Sequence, residues 1–318
     1  MRVNRRFIYW GVFLIAIGGV LVAADAGALD SVTITDALRL WPLALVAIGL
    51  GLVVRRTPVG LPAGMMAAAI PGLLLGGGLA ALPRIAADCG STGSTTTTVT
   101  QSGTFDGPAT VSVSAGCGAL VVDTAHGGGW TLQAGNTRGR TPLVDQSARS
   151  LSVDAGGHTG LHWFDSGRDA WHLTLPTSRI DDLALVVNAG EGTIGLTDAD
   201  IGTLDLTTNA GKTSVDLSAM SVESLVGKVN AGLLSIHLPG AANFDGTLQV
   251  NAGEIQLCVP SSLGLHVHHT GVLGGFSVNG QKQSGSDYVS NGLTSFRANL
   301  DITVNLGNVE IDPIGGCK

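Results

Sequence analysis

Charge and aromatic rings are both scarce in this sequence. Of its 318 residues 13% are charged, 4% are aromatic and four are lysines. There is no basic stripe, arginine-rich run or interleaving of basic and aromatic residues, which argues against a nucleic-acid partner. The net charge of -7 adds little to this. No Ser nucleophile elbow, P-loop or dinucleotide fingerprint occurs, so the commonest routes to hydrolase, nucleotide and redox chemistry have no local signature here. What the sequence does have is glycine, 47 residues of it, and a sharp change of character along its length.

The segment 1–83 reads as membrane. Phe7 to Ala24 carries no charge, and at about 1.5 Å per residue it reaches about 27 Å, close to a hydrocarbon core of roughly 30 Å. A second apolar run follows over 38–54, with Thr35 or Asp36 as helix cap and Trp41 at the headgroup level. A third covers 59–82 and contains Pro71 and Gly76 to Gly78, which bilayer helices tolerate. A cleaved signal peptide is the alternative for the first run, disfavoured by the two runs after it and by the poor cleavage context of "VAADAGAL". Arg2, Arg5 and Arg6 precede the first run and Arg55 and Arg56 lie between the second and third. The positive-inside bias therefore puts the N-terminus in the cytoplasm, and three crossings put the remainder outside. If the third run does not cross, that sidedness reverses.

Residues 84–104 read as a Ser/Thr-rich linker. All four cysteines, Cys89, Cys117, Cys258 and Cys317, lie beyond the apolar runs, where disulfides persist. Three pairings are possible. Cys89 with Cys117 and Cys258 with Cys317 would tie the two ends of the domain, and four unpaired thiols are the alternative. The spacing fits no zinc knuckle.

The tripeptide Asn-Ala-Gly recurs with a constant period of 21, at Asn188, Asn209, Asn230 and Asn251, and ends at Gly190, Gly211, Gly232 and Gly253. A fixed period of this length marks a solenoid. Positions one, three and five before each Asn are mostly aliphatic, as in Val187, Leu185 and Leu183. Positions four, six and eight after it are too, as in Leu234, Ile236 and Leu238. Alternation with period two on both sides predicts two half-buried strands per coil. The switch from odd to even offsets makes the tripeptide a corner, where Asn and Gly supply positive φ and stacked Asn side chains bond along the pile. Degenerate copies at Ser114-Ala115-Gly116, Asp154-Ala155-Gly156 and Asn305-Leu306-Gly307, the last as a closing coil, extend the array. Residues 105–318 thus form an all-β solenoid domain of about seven to nine coils.

The segments "GVFLIAIGGVLV" and "LWPLALVAIGLGLVVRR" resemble the paired-helix region of the LiaF and LiaI envelope-stress membrane proteins. "SAGCGALVV", "WHLTLP", "LVVNAGEGTIGL" and "VNAGEIQLCVP" are similar to the toast-rack β-solenoid domain attached to such helices, and to adhesin-type domains. The resemblance implies a non-enzymatic, multi-pass bacterial membrane protein without a cofactor. It implies envelope-protein partners, among them a sensor histidine kinase, and a part in cell-wall stress regulation.

Two other readings stand beside that one. A surface adhesin or glycan-binding module would use outward Thr, Ser and Asn ladders, although stacking aromatics are scarce. A polysaccharide-lyase type of enzyme needs carboxylates paired with each other or with a base on one face. Asp198 and Asp200 share a turn, and Asp205 and Asp216 fall on different strands, so that reading is disfavoured. They do not match a calcium-binding pattern either. Candidate metal ligands are His266 and His268, which alternate with inward Leu265 and Val267 and so share an exposed face. They lack a third ligand unless His237 approaches. His158, His162 and Trp163 belong to an irregular coil.

Overall fold

The computed structural model describes residues 11–16, 18–19, 97–156, 167–271, 274–290, 296–314 and 316–317. The chain divides into two units, Met1–Ile85 and Ala86–Lys318. In the first unit, residues 11–16 and 18–19 are helical. The expected spans at 7–24, 38–54 and 59–82 otherwise lie outside the described residues, as do His158, His162 and Trp163. Among the described residues no helix is long and apolar enough to cross a membrane.

Among the described residues the second unit is one sheet of fifteen strands. In chain order they are β1 (Thr97–Thr104), β2 (Ala109–Ala125), β3 (Gly129–Asn136), β4 (Leu143–Gln146), β5 (Ser150–Asp154), β6 (Asp169–Pro176), β7 (Ile180–Gly195) and β8 (Asp200–Asp216). They continue as β9 (Ser221–His237), β10 (Phe244–Cys258), β11 (Leu263–Gly271), β12 (Gly275–Val278), β13 (Gln281–Lys282), β14 (Asp287–Val289) and β15 (Phe296–Ile311). Six of these, β2, β7, β8, β9, β10 and β15, are 15 to 17 residues long, and each is a full coil. They pair in parallel, so that Val187 lies beside Thr208, Thr208 beside Val229, Val229 beside Val250 and Val250 beside Val304.

Each coil is a single strand bent at the tripeptide rather than two separate strands. The bend is made by glycine alone. Gly190, Gly211, Gly232 and Gly253 have φ of 120°, 126°, 150° and 152°, whereas the asparagines before them are not among the positive-φ residues. The expectation that Asn shares the positive φ is therefore corrected. Its contribution is a side-chain ladder. Nδ2 of Asn209 donates to Oδ1 of Asn188 at 2.8 Å, Asn230 to Asn209 at 2.5 Å, Asn251 to Asn230 at 2.6 Å and Asn305 to Asn251 at 2.8 Å. Asn188 begins the row by donating to the carbonyl of Ala115 at 2.9 Å. The glycines form a second row beside it. A Cβ on any of them would fall inside contact distance of the carbonyl oxygen of the glycine one coil earlier.

The interior follows the alternation. Leu183, Leu185, Leu204, Leu206, Leu225, Leu248, Ile194, Val215, Ile236 and Leu257 are all buried. Where the inward position is Gly227 or Gly246, a leucine from the next coil, Leu248 or Leu300, occupies the space. One polar pair enters this interior at the corner of β8, where Thr208 Oγ1 donates to Thr213 Oγ1 at 2.8 Å and both are buried. A buried hydroxyl pair of this kind satisfies itself, so it is not costly.

The coils are not stacked in simple chain order. β2 lies directly against β7, and the intervening chain goes to the outer side of β2, where β5 covers the arm before the corner and β6 the arm after it. The other end mirrors this: β15 is inserted next to β10, and β11 and β12 cover its two arms from outside. Asn305-Leu306-Gly307 is therefore a corner of an inner coil, not of a closing one. Beyond these split layers lie antiparallel strands: β4 on β5, β3 and then β1 on β6, β14 on β11, and β13 on β12. Short, polar edges of this kind resist pairing with other chains.

Three further expectations change. Residues 97–104, read as linker, are a strand, because alternating Thr fits a half-covered sheet edge. The corner of β2 is Gly116-Cys117-Gly118, since Cys117 pairs with Ala189 and Gly118 with Gly190 and has φ 148°. A two-residue slip keeps every side chain on its own face, so alternation cannot reveal it. Asp154-Ala155-Gly156 is not a corner: β5 ends there, and Asp154 Oδ1 accepts from the Gly156 N–H at 2.8 Å in a local turn.

Replacing Gly211 by Ala combines backbone strain with a collision against fixed backbone, and is expected to cost about 3 kcal/mol or more of unfolding free energy. Asn230→Ala removes a donor and an acceptor and is expected to cost about 1–3 kcal/mol, whereas Asn305→Ala, at the exposed end of the row, should cost less. Urea unfolding of the three variants checks both the sizes and the order.

Candidate functional site

Surface chemistry in the coils is decided by register, because residues one period apart become neighbours. Arg179 and Asp200 stand in that relation, and Nη1 of Arg179 meets Asp200 Oδ1 at 3.0 Å. The same atom meets Glu223 Oε1 at 2.9 Å, and Nε lies 3.4 Å from Asp181. Ser221, one period beyond Asp200, donates to the same Asp200 oxygen at 3.1 Å. This guanidinium therefore ties three successive coils at the second corner. Asp200 is engaged in that structural clamp. Asp198, with φ 57°, lies 3.8 Å from His126.

At the outer layer beyond β2, His172 Nε2 lies 2.7 Å from Asp123 Oδ2, both about half exposed. Asp169 begins β6 beside the corner of β2. Burial raises its carboxyl pKa, and hydrogen bonds from the Asn136 side chain and the Gly116 N–H pull in the other direction without cancelling the effect.

His266 and His268 lie on β11 and are exposed, while Leu265 and Val267, which alternate with them, are buried. His268 Nδ1 donates to Asp287 Oδ1 of β14 at 2.9 Å. That bond, with the nearby charges of Asp287 and Asp301, raises the imidazole pKa above its ordinary value. Asp287 is lowered, first by the Ser286 hydroxyl at 2.7 Å and then by His268. An open groove of about 300 Å³ lies alongside, lined by His266, Val289, Ser290, Arg297 and Asn299 among others. On the inner side His269 stacks on Phe276 at 4.4 Å, and Tyr288 meets Phe276 edge-on at 6.2 Å. Among the described residues, the one group of three His, Cys or carboxylate side chains close enough to share an ion is elsewhere. His237 is not brought to His266 and His268: it lies on the arm after the corner, beside Cys258, and they lie on the arm before it.

Cys258 and Cys317 form a disulfide with Cα atoms 5.9 Å apart, closing the C-terminal segment onto the end of β10. Cys117 is also disulfide-bonded. Cys89 lies outside the described residues. His237 is one period before Cys258, and the two pair across β9 and β10. The period alone could have found that neighbour, and the Arg179–Asp200 pair as well. The contact of His268 with Asp287 could not be found so, because β14 stands outside the repeat.

Residues 143–239 match the model of a family described as the N-terminal domain of toast_rack, DUF2154. The match spans β4 to β9, that is part of the outer layer and three coils. Among curated proteins none matches. Among solved structures, a candidate cell adhesion protein from Clostridium sporogenes is 16% identical with a TM-score of 0.45, over 69% of this chain and 100% of that one. A candidate adhesin from Bacteroides fragilis is 10% identical with a TM-score of 0.29, over 68% and 97%. A candidate lipid binding protein from Parabacteroides distasonis is 9% identical with a TM-score of 0.29, over the same shares.

The sign of the His268 effect follows from its direction. A raised histidine pKa contributes stability that is fully present below its ordinary value near 6.5 and lost as pH rises through the folded value. The lowered Asp287 contributes above its own ordinary value and is lost as pH falls through the folded one. The bond between β11 and β14 is thus held between those two folded values. An NMR titration of the His268 ring is expected to give a midpoint above about 6.5, returning toward it in Asp287→Asn.

Proposed function

We propose that this chain is a membrane-anchored protein whose β-solenoid lies outside the cytoplasm and works by contact, as a sensor or scaffold in cell-envelope stress regulation of the LiaF kind. The observation that carries the reading is the division of labour in each coil. Inward positions are filled mostly by aliphatic side chains, so chemistry is concentrated on a ridged surface of hydroxyls, amides and ion pairs laid along the coils. Such a surface suits recognition of a protein partner better than turnover, which needs groups converging on one reacting atom. The Cys258–Cys317 disulfide supports an oxidising compartment, and the three apolar runs before Pro83 support an anchor in the bilayer. A sensor histidine kinase is the partner this reading favours.

A second reading, adhesion or glycan binding, has its own support. Outward positions align Thr207, Lys228, Gln249 and Thr303 across four coils, giving a polar row at strand spacing.

Deletion of the gene in the producing bacterium is expected to change the induction of a cell-wall-stress reporter several-fold under a wall-active antibiotic, with residues 1–318 restoring it. Unchanged induction together with lost attachment to glycan-coated surfaces would favour adhesion instead. After mild reduction of intact cells, a membrane-impermeant maleimide is expected to reach Cys258 and Cys317. Protection that ends only on lysis would place the domain inside.

A further inference from the structure

His237, Cys258 and Cys317 each offer one ligand atom, and these atoms all lie within 4.8 Å of one another. Two of the three are fixed by the sheet: His237 ends β9, Cys258 ends β10, and the two residues are register partners. The third is on the terminal segment, which turns back so that the Cys317 N–H points at the Cys258 sulfur at 3.1 Å. That segment is held by the Gly316 N–H on the Pro313 carbonyl at 2.9 Å and by Asp312 accepting from the Val259 N–H at 2.8 Å. Among the described residues no hydrogen bond engages either ring nitrogen of His237. The imidazole thus stands beside two sulfurs, with Asp216 its register partner on the coil before. All three residues are half-buried.

We propose that the Cys258–Cys317 disulfide is a redox-controlled cover on a zinc site, and that its reduction creates a His-Cys-Cys centre for one zinc ion, with a fourth position for water. In the first step a dithiol reductant transfers two electrons and two protons to the sulfur–sulfur bond, giving two thiols and its own disulfide. In the second, zinc displaces both thiol protons and takes the imidazole lone pair. Zinc needs sulfurs at about 2.3 Å and nitrogen at about 2.0 Å, which sets the two sulfurs about 3.8 Å apart in a tetrahedron. Once the bond is reduced, the sulfurs reach that separation by rotation at Cys317, on a segment that pairs with no strand, so no ladder is broken. Soft thiolates with one imidazole favour zinc over magnesium or calcium.

The chain of residues 1–318 tests this with cobalt(II) as the spectroscopic probe. After reduction, the wild type is expected to take up one more equivalent of cobalt than Cys258→Ser/Cys317→Ser, with a thiolate-to-cobalt charge-transfer band that added zinc abolishes. The oxidised protein is expected to show no band, and reoxidation to release the ion. His237→Gln is expected to weaken cobalt binding about tenfold or more, at least the effect of losing a supporting contact. Equal uptake by wild type and the double serine variant, or unchanged affinity in His237→Gln, overturns the proposal. Because a variant can lose its fold, alkylation of the reduced wild type is mapped by mass spectrometry in parallel. Zinc is expected to protect Cys258 and Cys317 together, and modification at the same rate with and without zinc overturns it too.

Discussion

Close backbone approach at the first corner is the constraint on which the domain depends. Every coil must turn its inward face by one residue at the same height as its neighbour, and the backbones meet there with no room for a side chain. Glycine alone satisfies both conditions, and the asparagine two residues before it fastens the turns together through its amide. With that corner fixed, the rest follows by translation. Aliphatic residues fall over aliphatic residues, and each layer covers the apolar edge of the last. A single coil has no other way to bury both of its sides.

The same translation governs what the surface can do. A side chain on one coil meets its counterpart one period along the chain, so chemistry appears as rows and not as converging clusters. Arg179 with Asp200 and Ser221 is one such row, which Glu223 joins from two positions further along, and His237 with Cys258 is another. At the ends, where β4, β13, β14 and the outer strands break the period, unlike residues gather from distant parts of the chain. His268 with Asp287 and Asp169 with Asn136 are examples. The toast-rack match covers part of one such end and three regular coils.

How much of this was legible in the sequence depended on whether a residue obeyed the repeat. The inward positions of β7, β8, β9 and β10 and the amide row from Asn188 to Asn251 could be read directly, since the constant period and an alternation of two determine them together, whereas Asn305, 54 residues beyond Asn251, joins that row outside the period. The corner of β2 was displaced by two positions, an error to which an alternating pattern is blind. The outer placement of β5 and β6, and of β11 and β12, was not legible, because parallel pairing leaves the same alternation whichever layer comes next. Residues 97–104 looked like a linker because threonine serves polar loops and exposed edges equally well. The His268–Asp287 contact arises from chain reversal outside the repeat, for which no periodic signal exists.

The insertion of β15 between β10 and β11 bears on how the molecule is made. A chain emerging from its N-terminus delivers β11 before the strand on which β11 must rest, so the open flank of β10 waits for residues 296–311 before it is covered. During synthesis the growing array therefore presents an unpaired ladder until residues 296–311 have appeared. Loss of the C-terminal stretch would remove an interior layer and not trim an end, and early termination would leave a sticky template in place of a shorter rod.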